Sequence, residues 1–181
     1  MVKGGVVQHI TGIPDEETYQ RVKLYLIHQF TTLGAPQIWN GDEMGMTGGD
    51  DPDCRKPLWW PEFEFEPEYR NNLQTGKKIY DEVGFSKEHF DFYTWVVQLR
   101  KQNPVLVDGS FEFLVAEGKK LSYKRKSDTD EIIVMFNLED NVKEFELPKN
   151  EAFINLMDDM PAMGKVMLPS LGAGIFKKIM D

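Results

Sequence analysis

The sequence predicts an α+β fold in which helices and one strand precede an antiparallel β sandwich. Three observations support this prediction. Apolar residues recur every three to four positions in two segments before Pro104, a short apolar run lies between those segments, and the period changes to two after Pro104. We therefore expect two domains, residues 1–103 and residues 104–181.

The first helix is predicted over Pro14–Leu33. Acidic residues come early in it, where they favour the positive end of the helix dipole, and apolar residues follow at helical spacing. Gly34 and Pro36 end the helix. The apolar run Gln37–Asn40 comes next and suits a buried strand.

A long segment rich in glycine, proline, aspartate and aromatic residues, Gly41–Glu68, is predicted to be a loop because no regular period persists in it. Its aromatic side chains favour an ordered, packed loop. Tyr69–Val83 is weakly helical. Ser86–Asn103 is a stronger helix, with Ser86 as its N-cap and Pro104 after its last residue.

Seven short strand-like runs follow Pro104, separated by turn residues, and this spacing is typical of an antiparallel sandwich or barrel. The runs are Phe111–Glu117, Leu121–Lys126, Glu131–Leu138, Val142–Leu147, Ala152–Met157, Lys165–Leu168 and Gly174–Met180. The single strand before Pro104, by contrast, has no neighbours, and a parallel strand needs neighbours and helices on both faces. We therefore expect the first half to belong to a larger structure.

Composition excludes several classes of function. The 181 residues include 41% hydrophobic and 28% charged residues, as in an ordinary globular protein. The formal charge is −9 and would repel nucleic acid. Cys54 is the only cysteine, which excludes an internal disulfide and a CxxC metal site. The N-terminal residues lack an apolar run long enough for a membrane span, so no membrane partner is expected.

The segment Gly34–Trp60 carries a long motif that resembles glycoside hydrolase family 13, the α-amylase family, around its eighth barrel strand. The resemblance is to the neopullulanase and cyclomaltodextrinase-like members. The matching residues are Gly34, Pro36, Ile38, Gly41, Asp42, Glu43, Gly45, Met46, Gly48, Asp51, Pro52, Asp53, Arg55, Lys56, Pro57 and Trp60. The helix and strands that follow resemble the last barrel helix and the C-terminal β domain of that family.

This resemblance implies that residues 1–103 are the tail of a (β/α)₈ barrel and that the parent enzyme hydrolyses α-1,4 or α-1,6 glucosidic bonds with retention. A whole barrel takes roughly 250 residues. The family's catalytic Asp, Glu and Asp belong to earlier strands, and their motifs do not occur in this sequence. We therefore expect no catalytic residue in this chain and no activity of the chain alone.

Five residues of the loop are candidates for binding substrate: Asp42, Glu43, Arg55, Trp59 and Trp60. Adjacent acids in a glycine-rich loop more often form turns or pair with an arginine, and we favour that interpretation for the carboxylates. Trp59 and Trp60 suit either stacking on sugars or a minor core of the loop. For Trp39, on the predicted strand, a core position is favoured.

No cofactor and no metal are expected. The cluster Asp50, Asp51 and Asp53 lacks the spacing of an EF-hand and contains Pro52. The expected partner is an α-glucan or malto-oligosaccharide through the parent enzyme. Two alternatives stay open, a starch-binding module without catalysis and a structural module whose exposed helices drive self-association.

Overall fold

The computed structural model of the chain describes residues 12–48, 55–71 and 76–180. The described residues fall into two compact units. The first unit holds residues 12–15 and the described part of 38–93, and the second holds residues 16–37 and 94–180. The chain combines helices with antiparallel sheets, which confirms the predicted mixture of α and β structure.

The second unit contains helix α1 (Glu16–Thr31), the C-terminal half of helix α2 (Lys87–Gln102), a short helix α3 (Val105–Asp108) and eight strands. The strands are β3 (Ser110–Glu117), β4 (Lys120–Lys126), β5 (Glu131–Asn137), β6 (Lys143–Glu146), β7 (Phe153–Asn155), β8 (Met160–Ala162), β9 (Lys165–Leu168) and β10 (Gly172–Lys178).

These eight strands form two antiparallel sheets. The larger has six strands in the order β3-β4-β5-β10-β7-β8, and the smaller pairs β6 with β9. Every residue of the central strand β5 is buried. A strand buried on both faces needs covering layers on both sides, and the packing supplies them.

One face of the larger sheet shares a core with the smaller sheet. Ile133 and Met135 of β5 join Phe145 of β6 and Leu168 of β9 in a single buried cluster. The alternate residues of β5 point to the opposite face, where the ring of Phe136 lies 6.0 Å from that of His28 in helix α1. Helix α1 therefore covers the face that the small sheet leaves free.

Helix α1 forms where it was predicted, because its apolar stripe is buried. Leu26, Ile27 and Phe30 are each 3% exposed or less. Glu16 and Glu17 lie in its first turn, where carboxylates interact favourably with the helix dipole.

Two buried arginines bind the carbonyls at the C-terminal end of helix α1. Arg125 donates to the Thr31 carbonyl at 2.8 Å and also to the carbonyls of Leu106 and Gly109. Arg100 donates to the Phe30 carbonyl at 2.8 Å. The last carbonyls of a helix have no partner within the helix, so these guanidinium groups satisfy them and complement the negative end of the dipole.

The first unit contains a 3₁₀ turn (Asp42–Met44), a hairpin of strands β1 (Glu68–Asn71) and β2 (Lys78–Asp81), and the N-terminal half of α2. The Ser86 N–H donates to the carbonyl of Met44, which is fully buried. This bond ties the turn to the start of α2, where the Phe90 N–H donates to the Ser86 carbonyl.

Three sequence predictions of local structure are corrected. Gln37–Asn40 is not a strand, and Trp39 is 62% exposed instead of lying in a core. Tyr69–Val83 contains the hairpin instead of a weak helix. Helix α3 and strand β8 were not predicted, since four residues and three residues are too short to show a period.

Candidate functional site

The 3₁₀ turn at Asp42–Met44 lies between two glycines in the left-handed region. Gly41 has φ 101° and Gly45 has φ 73°. A Cβ atom on Gly41 would also lie 2.6 Å from the sulfur of Met46. Residues with a side chain rarely adopt such angles, so the two glycines allow the chain to fold tightly here.

Both predicted carboxylates of this turn accept hydrogen bonds from its backbone. The Trp39 N–H donates to Asp42 Oδ2 at 3.3 Å, and the Gly41 N–H donates to Glu43 Oε2 at 3.0 Å. These bonds agree with the turn-forming interpretation. Partial burial raises the pKa of Asp42, and the bond from Trp39 and the charge of Glu43 act on it more weakly, in opposite directions.

A cavity of about 160 Å³ lies beside this turn, within the first unit. Its walls combine an aromatic ring, a carboxylate, amide and hydroxyl groups, and an ammonium group. The lining residues are Trp39, Asn40, Gly41, Asp42, Met46, Thr47, Gly48 and Lys56. Such a mixture of donors, acceptors and one ring suits a small neutral ligand rich in hydroxyl groups.

The contacts that hold Lys56 in place include an ion pair and an aromatic ring. Its Nζ lies 2.5 Å from Glu68 Oε2 and 5.4 Å from the centre of the Trp59 ring. The prediction of site residues missed Lys56, although it belongs to the matching motif. The sequence feature that could have identified Lys56 is a basic residue close to two tryptophans. Its partner Glu68 lies twelve residues further along the chain.

The five predicted binding residues occupy different environments. Trp59 is 3% exposed and packs against Phe65, with ring centres 6.4 Å apart, so it belongs to a minor core of the loop. Trp60 is 42% exposed, and Arg55 is also exposed. Only Asp42 lines the cavity, next to Glu43 in the turn. The role of all five in binding substrate stays a prediction.

The cluster Asp50, Asp51 and Asp53 lies outside the described residues, as does Cys54. Among the residues that the structure does describe, no three His, Cys, Asp or Glu side chains are grouped as a metal site. Within the same residues, no helix is long and apolar enough to cross a membrane.

The loop, the turn and the helix α2 belong to a known class of catalytic domain. Residues 7–109 match the family described as "Alpha amylase, catalytic domain". This match covers more than half of the chain, and the chain therefore belongs to the α-amylase family.

Relatives within the family include cyclomaltodextrinases. One from a Bacillus species is 36% identical over 120 residues, which are 65% of this chain and 18% of that protein. Another, from Geobacillus thermopakistaniensis, is 31% identical over 143 residues, which are 76% of this chain and 21% of that protein. The chain thus spans about a fifth of the length of these relatives.

Solved structures resemble the fold over most of the chain. An Anoxybacillus alpha-amylase matches 90% of this chain with a TM-score of 0.70 at 22% identity, and the match covers 33% of that enzyme. A cyclomaltodextrinase matches 88% of this chain with a TM-score of 0.67 at 27% identity, and the match covers 26% of it.

Proposed function

We propose that this chain supplies the C-terminal part of a glycoside hydrolase that acts on α-glucans, with barrel-tail helices in residues 1–103 and a β-sandwich domain in residues 104–181. The observation that carries the proposal is the match of residues 7–109 to the catalytic domain of the α-amylase family. The relatives include a cyclomaltodextrinase and a maltogenic alpha-amylase, which supports α-linked glucose polymers as the substrate class.

In this proposal the chain binds sugar but does not cleave it. Retaining hydrolysis needs two carboxyl groups about 5 to 5.5 Å apart, free to act on the bond. The carboxylates of Asp42 and Glu43 instead accept hydrogen bonds from their own turn. The retaining chemistry on α-1,4 or α-1,6 bonds thus falls to other parts of the enzyme.

A chromogenic maltoside assay on the purified chain tests the catalytic half of the proposal. We expect no turnover above that of a buffer blank. Turnover that is lost in Glu43→Gln would contradict the proposal, because it would show that this turn carries a reacting carboxyl group.

Binding of α-glucan is supported by the exposed aromatic side chains of the loop. Trp39, Trp60 and Phe63 are 62%, 42% and 60% exposed, and Trp39 also lines the cavity. Exposed aromatic rings present flat apolar surfaces to the C–H faces of pyranose rings. The same observation supports the alternative function, a starch-binding module.

Affinity electrophoresis in native gels with amylopectin tests this binding. We expect the chain to be retarded relative to a gel without polysaccharide, and less so after Trp39→Ala or Trp60→Ala. A buried residue of the same type, Trp59, is unsuitable as a control because its loss would open the loop core. Equal mobility of the wild-type chain in both gels would contradict binding.

Self-association through the helices is the remaining proposal. Most of the apolar stripe of α1 is buried within its own unit, but Tyr25 is 61% exposed and the neighbouring Leu33 is 57% exposed. Light scattering at high concentration tests this proposal. A clean monomer would count against it.

A further inference from the structure

The hairpin of β1 and β2 displays two tyrosines side by side. Tyr69 pairs with Tyr80 in the antiparallel register, so both side chains lie on one face, and Lys78 lies on that face two residues before Tyr80. Tyr69 is 61% exposed and Tyr80 is 65% exposed. Large aromatic surfaces that stay in water on a short hairpin are available to a ligand.

The opposite face of the hairpin is tied to the candidate site. Glu68, which pairs with Asp81, accepts the hydrogen bond from Lys56. Lys56 in turn lines the cavity that contains Trp39 and Asp42. Lys56 therefore connects the opposite face of the hairpin to the cavity, and the two tyrosines face away from that connection.

The two rings form a bent surface with polar edges. Their centres are 6.2 Å apart and their planes are tilted by 51°. The ammonium group of Lys78 lies over one face of the Tyr69 ring, 4.2 Å from its centre, and restrains the ring. Two apolar rings with phenol hydroxyls at their edges complement a sugar ring with its C–H faces and hydroxyl rim.

We propose that Tyr69, Tyr80 and Lys78 form a second binding platform for an α-linked glucan, which engages a chain longer than the cavity can hold. The bend favours a curved polysaccharide, as α-1,4 linkage produces, over a flat β-linked ribbon. The overall charge of −9 disfavours polyanions on the same surface. This inference rests on the proposed binding of α-glucan and adds a site to it.

The test compares the retardation of variants of the full chain in gels with amylopectin, with hydroxyethylcellulose and without polysaccharide. The double variant Tyr69→Thr, Tyr80→Thr removes both rings and keeps residues that favour strands. We expect its apparent dissociation constant for amylopectin to rise about tenfold, the size expected for two lost aromatic contacts. Tyr80→Trp, with a larger ring, should strengthen retardation. Hydroxyethylcellulose should retard none of the proteins.

Tyr25→Ala is the matched control, since Tyr25 is equally exposed but lies on helix α1. A cross-strand aromatic pair also stabilises a hairpin, and Tyr80→Trp separates the two roles because it keeps such a pair. The platform is refuted if the double variant and Tyr80→Trp are both retarded like the wild type while Trp60→Ala loses retardation. That outcome leaves the proposed function intact. Equal retardation in hydroxyethylcellulose refutes the preference for a curved chain. A wild-type chain that amylopectin does not retard refutes the platform and the proposed binding together.

Discussion

At the scale of single residues, polar groups in this protein are placed mainly to satisfy the backbone. Asp42 and Glu43 accept N–H groups of a turn, and Arg100 and Arg125 donate to the end of a helix. A buried backbone group without a partner costs about 1 to 3 kcal/mol, so the two arginines in particular are constrained by the fold. Residues that face solvent, such as Trp60 and Tyr80, are free of that constraint and are better candidates for binding.

Replacement of Asp42 separates its hydrogen bond from its charge. Asp42→Asn keeps an oxygen for the Trp39 N–H and removes a carboxylate that burial disfavours, so we expect stability at pH 7 equal to or slightly above wild type. Asp42→Ala loses the bond and should cost about 0.5 to 1.5 kcal/mol. Urea denaturation measures the free energy of unfolding of both variants. An Asp42→Asn variant less stable than Asp42→Ala would contradict this expectation.

The difference in stability between Asp42→Asn and the wild type should depend on pH, and its sign follows from the pKa of Asp42. Burial raises the pKa of Asp42 above its ordinary value of 3.8. In the pH range just above 3.8 the folded state therefore holds a proton that the unfolded state has lost, and the cost of the partly desolvated charge appears as pH rises through this range. The advantage of Asn over Asp should vanish when the pH falls below 3.8.

Removal of the Arg125 side chain should be among the most damaging changes in the protein. Arg125 is fully buried and donates to five carbonyl groups, those of Thr31, Thr32, Leu106, Gly109 and Ser110. Arg125→Met removes this donor from all of them, although the Thr32 carbonyl still accepts from Arg100, and we expect a loss of about 3 to 5 kcal/mol. The control Arg21→Met removes an exposed arginine paired with Glu17 and should cost less than about 0.5 kcal/mol. Similar losses for the two variants, measured by urea denaturation, would refute the proposed role.

At the scale of elements, the position of helix α1 depends on a small polar cluster against the sheet. Tyr123 of β4 is fully buried, and its hydroxyl lies 2.6 Å from Thr31 Oγ1 and 3.3 Å from His28 Nδ1. Burial raises the pKa of Tyr123 to about 12, so its hydroxyl stays protonated at any physiological pH. The titrating member of this contact is therefore His28.

Mild acid should weaken the packing of α1. Burial lowers the pKa of His28 below its ordinary value of 6.5. As the pH falls through 6.5, the unfolded chain takes up a proton that the folded chain refuses, so stability falls until the pH reaches the folded-state pKa. We expect the melting temperature to decrease from pH 7 to about pH 5, and the decrease to be smaller in His28→Asn. An identical pH profile for the two proteins would contradict this prediction.

Elements in which apolar residues recur at a regular spacing were predictable from the sequence. Elements held by contacts distant in sequence were not. The helices α1 and α2 and seven of the strands formed near their predicted positions because apolar residues recur in them at the period of a helix or a strand. The β1 and β2 strands are four residues each and expose their tyrosines, so they carry no amphipathic signal. In the site, the turn followed from its glycines and acids, but the position of Lys56 depends on Glu68, which no local pattern encodes.

At the scale of the whole molecule, stability should be distributed unevenly between the sheets. The pair β6 and β9 is only two strands, but Phe145 and Leu168 of these strands are buried in a core shared with β5 and β10. The pair β1 and β2 is also two strands, and its Tyr69 and Tyr80 remain exposed. A two-stranded hairpin without such a core is marginally stable in water.

Hydrogen exchange measured by mass spectrometry tests this difference, since local opening free energies range from near zero to the global value. We expect the slowest exchange in β5, which is buried throughout, intermediate protection in β6 and β9, and the fastest exchange among strands in β1 and β2. The pairs β1–β2 and β6–β9 both have two strands, so the difference between their exchange rates reports the effect of the core that β6 and β9 share with β5 and β10. If β1 and β2 exchange as slowly as β6 and β9, the hairpin is held by more than the bond between Lys56 and Glu68. Its tyrosines would then sit on a rigid surface, and loss of that bond in Lys56→Met should leave the exchange of the hairpin unchanged.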